Sequence, residues 1–479
     1  MVRCGPEKKH LDNLVKLDAH LMIEQETDEF YGLGIRYGVT RDLRHVVRWN
    51  VIADRWMSSE GSTYTQDEVI PFPGGGTYRS ALSRAKHMLE DQEAAMPHPT
   101  KIEELRTVFQ KWLAIDEDLD VLDVILAATL DRRVAGDPLW LFDVGPPGST
   151  KTEILRSLCS LPDVYQLSQL TSKTIVSGKE KKDGTVVRGI FLKINGRVLV
   201  IPELTQILCK SRDERDLIFA QFRDLYDGYM VYGYGTIDEP IRVECRIGLL
   251  CGVTSAIDMY GSVHAVLGDR FLKIRPKFNR DLARDRAIQN KEQLEQMRLE
   301  LQAATRNFFK HVQTGKLPTL TEAQLTKIGL YAEFVARIRT TVTSQAFREY
   351  DTSEWQPEPE FATRLAQQLR KLGECVALIR GHQQITDEDM AAVSRVALDT
   401  CLPNRLEVIR ALFQAQEALS IAQASKASGL SYWKTRNSLE ALTIIGGIIE
   451  ETGGEKQHNE RWYALASDFR QLMNKVIQP

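Results

Sequence analysis

The sequence predicts an α/β fold: a three-layer core, then a mostly helical region, then a small C-terminal module. Three observations predict it. WLFDV (Trp140–Val144), RVLVIPEL (Arg197–Leu204) and RIGLLCGVTS (Arg246–Ser255) read as buried strands. Helical periodicity lies around them, and strands alternating with helices make layers of helix on sheet. After about residue 280 the pattern turns mostly helical.

Residues 1–100 form an N-terminal domain of unclear fold, with short apolar groups among turns such as FPGGG (Phe72–Gly76). YRSALSRAKHMLEDQEAA reads as a surface helix, and PHPT (Pro97–Thr100) as a boundary, since both prolines disfavour a continuing helix. From Lys101 helical periodicity runs up to DRRVAGDP, with VLDVILAATL packing inward. The α/β core spans 101–280, a helical linker and lid 281–410, and the last module 411–479.

The chain has 479 residues, 43% hydrophobic and 27% charged, which is the balance of an ordinary soluble protein. A net charge of -3 neither suggests nor excludes nucleic acid, because one basic helix or channel can sit in a neutral protein. Seven cysteines are scattered without a CxxC pair, which predicts reduced thiols, a cytoplasmic setting and no zinc site. No apolar stretch is long enough to span a membrane, and MVRCGPEKKHLDN lacks the apolar segment of a signal peptide.

The stretch Gly145–Glu153, GPPGSTKTE, follows the first strand and precedes the helix-like EILRSL. Gly145 and Gly148 allow a tight path that points backbone N–H groups at phosphate oxygens. With Pro146, Pro147, Ser149 and Thr150 they make the candidate cofactor loop, which closes on Lys151, Thr152 and Glu153. Lys151 would reach the β- and γ-phosphates of ATP, and the Thr152 hydroxyl would ligate Mg2+. The helix start favours anions. A structural turn is the plainer alternative.

The second strand offers one acid, Glu203, with Pro202 where a Walker B strand usually has its first. Glu203 would polarise water, stand in as the metal-side acid, or bind a structural partner at a strand end. The third strand ends in Thr254, placed either to contact water or the γ-phosphate, or to be buried and bonded to backbone.

Together these elements resemble the AAA+ ATPases and, within them, the MCM-like helicase group, over roughly residues 105–410. That group also has a small residue before the lysine; it is alanine there and Thr150 here. LTSKTIVSGKEKKDGTVVRGI (Leu170–Ile190) is similar to the helix-2 insert, and Asp213–Cys245 to the helix after Walker B and the hairpin before sensor 1. The resemblance places Thr254 at sensor 1, Arg270 of LGDRFLKIRP on the arginine finger and Arg364 of ATRLAQQLRKL on sensor 2. It implies an ATP- and Mg2+-dependent hydrolase assembled as a homo-oligomer, a hexameric ring. The layout is also similar to phage and mobile-element ATPases, whose Walker B strand can carry a single acid. No N-terminal zinc-binding MCM domain is visible.

A guanidinium such as Arg270 in a neighbour's pocket would stabilise charge moving onto the γ-phosphate. The plainer reading is a surface ion pair with Asp269, and for Arg364 a solvated helix face. DGYMVYGYGT (Asp227–Thr236) reads as a small hairpin that projects into a ring pore or lies buried against the next subunit.

Ala418–Ala464 resembles a winged helix-turn-helix. Ala422–Ala427 lies on the first helix, Gly429 makes the turn, and Ser431 caps a second helix from about Tyr432 to Leu442. IIGGIIEETG and RWYALA would be the wing strands and GGEKQHNER (Gly453–Arg461) the wing tip. The second helix presents Tyr432, Lys434, Thr435, Arg436 and Asn437 for phosphate and base contacts in DNA. Such modules also dock proteins. The expected function is therefore an ATP-hydrolysing motor on DNA, helicase-like or translocase; the alternative is a nucleotide-gated, DNA-binding switch, loader or regulator with weak hydrolysis. Protein partners would meet the N-terminal or C-terminal domain.

Overall fold

The computed structural model describes residues 37–40, 46–50, 55–58, 63–64, 69–71, 96–175, 179–180, 186–187, 189–232, 241–259, 270–277, 279–342, 357–452 and 461–477. The chain divides into two compact units, Met1–His98 and Pro99–Pro479. FPGGG (Phe72–Gly76), the expected helix from Tyr78, the residues Leu267–Asp269, the hairpin tip and the wing tip up to Glu460 lie outside the described residues.

Among the described residues the first unit holds one antiparallel sheet. Its strands are β1 (Tyr37–Thr40), β2 (Val46–Asn50), β3 (Arg55–Ser58), β4 (Thr63–Tyr64) and β5 (Val69–Pro71), in the order β4-β3-β2-β1-β5. β2 and β3 pair with Val47 opposite Ser58 and Trp49 opposite Trp56.

The second unit begins with α1 (Ile102–Trp112) and α2 (Leu119–Thr129). Glu104 caps α1 by accepting from the backbone N–H of Thr100 at 2.7 Å. Ile102, Leu105, Phe109 and Trp112 form its buried face at helical spacing. α2 is buried from Val121 to Thr129, as VLDVILAATL predicts.

The central sheet follows. Its strands are β6 (Trp140–Val144), β7 (Val164–Gln166), β10 (Val198–Ile201), β13 (Gly248–Val253) and β14 (Leu272–Ile274). All neighbours are parallel, in the order β14-β6-β13-β10-β7. The mixed α/β class is thus present, and the three strands read from sequence are its centre. The edge strands β7 and β14 are short, which is why apolar runs alone do not reveal them. Helix α3 (Lys151–Ser157) leaves β6 and the chain then reaches β7 at the far edge. After β13 it crosses back to β14 on the other side of β6. The loop after β6 therefore opens at the carboxyl edge of the sheet where the connections diverge.

Among the described residues between β7 and β13 lie two small hairpins and three helices. β8 (Lys179–Glu180) pairs with β9 (Val186–Val187) in the Leu170–Ile190 region. Helices α4 (Phe191–Ile194), α5 (Thr205–Leu208) and α6 (Arg212–Asp227) flank β10. β11 (Tyr229–Tyr232) then pairs antiparallel with β12 (Ile241–Glu244), so a hairpin forms here but reaches beyond the expected Asp227–Thr236. Gly252 lets β13 and the end of β10 close together: a Cβ there would lie 2.3 Å from the carbonyl oxygen of Pro202.

The described helices that follow the sheet are α7 (Arg280–Gln289), α8 (Leu294–His311), α9 (Glu322–Arg339), α10 (Thr363–Arg380), α11 (Asp387–Thr400) and α12 (Pro403–Ala415). α10 packs on α2, and α11 on β14. Buried ion pairs lock α10 in place. Lys371 donates to Asp131 at 2.7 Å, and Asp131 also accepts from the N–H of Leu139 at 2.8 Å, next to β6. Such pairs add position more than net stability.

The chain ends with β15 (Leu419–Ser420), α13 (Ile421–Ser428), α14 (Tyr432–Ile444), β16 (Ile448–Thr452), β17 (Arg461–Leu465) and α15 (Ser467–Ile477). The sheet order is β15-β17-β16, all antiparallel. Ser420 caps α13 by accepting from the N–H of Gln423, whereas Ser431 makes no side-chain cap for α14. Among the described residues no helix is long and apolar enough to cross a membrane.

Candidate functional site

The loop is built from the strand that precedes it. β6 is buried along its whole length, so its end is held rigidly. The N–H of Gly145 donates to the carbonyl of Val253 at 3.0 Å, which ties the loop to β13. Gly148 has φ +75°, a left-handed conformation that glycine adopts without strain. Thr150 is helical, and α3 starts at Lys151.

Lys151 is buried, and its ammonium folds back over the loop to donate to the carbonyls of Gly145 and Pro146, the latter at 2.8 Å. Pro146, Pro147 and Gly148 are exposed. The hydroxyls of Ser149 and Thr150 are buried and bond to no protein group. Thr152 is half-buried at the start of α3. Glu153 faces elsewhere: its carboxylate accepts from Arg156 at 2.7 Å and from Arg298 of α8 at 2.9 and 3.0 Å.

Glu203 follows β10 and is half-buried, with Oε1 accepting from the N–H of Thr205 at 3.2 Å. Thr205 links it to the third strand. The N–H of Thr254 donates to Thr205 Oγ1 at 3.2 Å, and the two hydroxyls lie 3.3 Å apart. Thr254 is thus half-buried and bonded through a neighbouring side chain rather than through backbone carbonyls. A cleft of about 280 Å³ opens beside Glu203, lined by Ser168, Gln169, Thr171, Gln206 and Lys210 among others.

A further acid, Asp143, was not singled out by the motifs. It is fully buried near the end of β6, and neither carboxylate oxygen has a hydrogen-bond partner among the described protein groups. Burial pushes its carboxyl up to about 7, Lys151 pulls it down and Asp118 raises it. Burial in turn lowers the Lys151 ammonium, against the opposing pull of Asp143 and Glu203. The signal in sequence was an aspartate inside an otherwise apolar strand, WLFDV.

Arg270 and Arg364 come together, away from the loop. Arg270 is buried and donates to both oxygens of Asp227 at 2.9 and 2.8 Å, and its carbonyl accepts from Gln368 at 2.7 Å. The guanidiniums of Arg270 and Arg364 lie 5.5 and 5.6 Å from the ring centre of Tyr226. Tyr226 packs edge-on against Trp140, the first residue of β6. Both arginines therefore sit at the amino edge of the sheet, whereas Lys151 sits at the carboxyl edge. Five residues of strand separate these ends, roughly 16 Å.

Helix α14 exposes Tyr432, Lys434, Arg436 and Asn437. Thr435 corrects the sequence reading: it is fully buried, and its hydroxyl donates to the carbonyl of Ser431 at 3.1 Å, because it falls on the face that packs inward. The motif reading omitted Trp433, which is 66% exposed beside Tyr432. The Arg436 guanidinium lies 5.6 Å from its ring centre and also bonds Glu440 at 2.7 Å. In the described part of the hairpin, Tyr229 and Val231 are exposed on alternate residues.

Comparison with protein-family models gives no match for this chain, and comparison with curated proteins gives none either.

Proposed function

We propose that the chain binds ATP with Mg2+ at Gly145–Glu153 and hydrolyses it as a ring-forming AAA+ motor of the MCM-like group, acting on DNA. The carrying observation is the lysine itself. Lys151 is a buried cation on a glycine loop that opens at the carboxyl edge of a parallel sheet, where the connections diverge. Ligands of open α/β sheets bind at such places. The two buried, unbonded hydroxyls of Ser149 and Thr150 suit a polyanion with many acceptors.

Among the described residues no cluster of three or more His, Cys, Asp or Glu side chains suits a metal. Mg2+ on a nucleotide needs no such cluster, since one or two protein groups with phosphate oxygens and water suffice. Thr152 and Glu203 would supply those groups, and the ion would neutralise phosphate charge. Hydrolysis joins a water oxygen to the γ-phosphorus, breaks its bond to the bridging oxygen, and releases ADP and phosphate. Glu203 would orient that water, with Thr254 beside it through Thr205. The sheet edge occupied by Arg270 and Arg364 supports their service to a neighbouring subunit's loop. The alternative of a slowly hydrolysing switch draws on Pro202, which leaves the second strand with a single acid.

Lys151→Ala tests the assignment. Losing a charge-assisted contact of about 1.5–3 kcal/mol should weaken ATP binding roughly 10- to 100-fold. Equilibrium titration of folded mutant and wild type decides it, and equal affinities would sink the site.

The C-terminal segment supports a winged helix by its α13–turn–α14 unit and the β16–β17 pair. With Trp433 and Tyr432 offering stacking faces, Lys434 and Arg436 would meet DNA phosphates. Replacing both with alanine should flatten the dependence of log affinity on log salt by about 2 and leave basal ATPase intact. Duplex titration at two salt concentrations measures it. Unchanged affinity and slope would favour a protein-docking module.

A further inference from the structure

We propose that Thr205 is a positioning residue for hydrolysis: its hydroxyl donates to Thr254 and so makes the Thr254 hydroxyl a donor for the γ-phosphate, while its backbone N–H holds the Glu203 carboxylate. The inference rests on the assignment of Gly145–Glu153 to ATP.

Backbone contacts bring the ends of two strands together. The N–H of Leu204 donates to the carbonyl of Gly252 at 2.8 Å, across from β10 to β13. Gly252 permits the approach because it has no Cβ to meet the backbone of Pro202. Thr205 is the next residue and opens α5. Within longer helices a threonine turns its hydroxyl back on its own helix: Thr129, Thr305 and Thr400 each bond the carbonyl four residues earlier. Thr205 has no turn of helix behind it, and its hydroxyl crosses to the end of β13, 49 residues away in sequence.

The hydrogen bonds there fix who donates. Thr205 Oγ1 accepts the N–H of Thr254 at 3.2 Å, and its own hydrogen goes to Thr254 Oγ1 at 3.3 Å. A hydroxyl has one hydrogen to give. Thr254 receives that of Thr205 and keeps its own for a third group. A γ-phosphate oxygen, which can only accept, is the complementary partner. Charge gathering on that oxygen during phosphoryl transfer strengthens the bond. On its other side Thr205 donates its N–H to Glu203 Oε1 at 3.2 Å. One residue thus orients two groups of the reaction, Thr254 through its side chain and Glu203 through its backbone.

The test uses Thr205→Val, which keeps the backbone N–H and nearly the same volume but lacks the hydroxyl. Single-turnover cleavage of MgATP should slow roughly tenfold, the effect of one lost hydrogen bond. MgADP has no γ-phosphate and should bind as it does to wild type. Thr205→Ser should restore the rate. Thr254→Val should slow cleavage as well, and adding Thr205→Val to it should slow it by under about twofold more, because Thr205 acts through that hydroxyl. Thr205→Ala removes the same hydroxyl if Thr205→Val fails to fold. Wild-type cleavage by Thr205→Val, weaker MgADP binding by it, or losses that multiply in the double variant would overturn the role of Thr205 and leave the nucleotide site in place. MgATP bound but not cleaved by wild type would overturn that role together with hydrolysis. No binding of MgATP or MgADP by wild type would overturn the nucleotide assignment itself.

Discussion

Arg270→Ala should lower ATP turnover about a thousandfold, the low end of what an arginine acting on a neighbour's phosphate contributes. In a single chain Arg270 cannot serve its own Lys151, because the two lie at opposite edges of one sheet, roughly 16 Å of strand apart. Arg270 is held instead by Asp227 and Tyr226, with Arg364 on the same ring. A subunit packed head-to-tail would bring this edge to the loop of the next, as heterologous ring interfaces do. Mixing Arg270→Ala with Lys151→Ala protein therefore forms some interfaces with an intact loop on one side and an intact arginine on the other. At equal amounts about a quarter of interfaces are of this kind, and activity should recover toward that level. Arg364→Ala should complement Lys151→Ala likewise, and should not complement Arg270→Ala. Mixed oligomers without any recovery would refute action in trans. Recovery with Arg270→Ala alone would leave Arg364 a role within its own chain or in packing.

Glu203→Gln should cut turnover roughly a hundredfold or more while nucleotide binding largely survives. The amide keeps shape and can still accept from the Thr205 N–H, so the β10 end should stay in place. It cannot take a proton from water. Pro202 leaves no second acid on that strand to substitute. Phosphate release and nucleotide titration on the same samples separate the two effects. Undiminished turnover would remove Glu203 from the reaction, and absent turnover in wild type would favour the switch.

Much of the core was legible in sequence because its signals are local. WLFDV, VLVI and GLLCGV are buried on both faces, so each is an apolar run, broken only by Asp143. Gly148, Lys151 and Thr152 carry a loop geometry that depends on residue type within a few positions. The C-terminal helices were legible for the same reason, through Gly429 and the spacing around Ser431. Thr435 was misread because one helix position decides between solvent and core, and that depends on what packs against the helix.

What the sequence by itself determined is the order strand, loop, lysine, helix, and the single acid after the second strand. Those follow from residue chemistry along the chain. The tertiary structure alone decided which groups share an edge. Strand order brings β13 beside β6 and so joins Thr254 to the loop, although more than a hundred residues separate them. The packing of α10 and α6 puts Arg364 and Arg270 on one tyrosine at the opposite edge. Tertiary packing also buries Asp143 without a hydrogen-bond partner among the described protein groups. Burial and long-range pairing set these charges, and neither is a property of any short stretch.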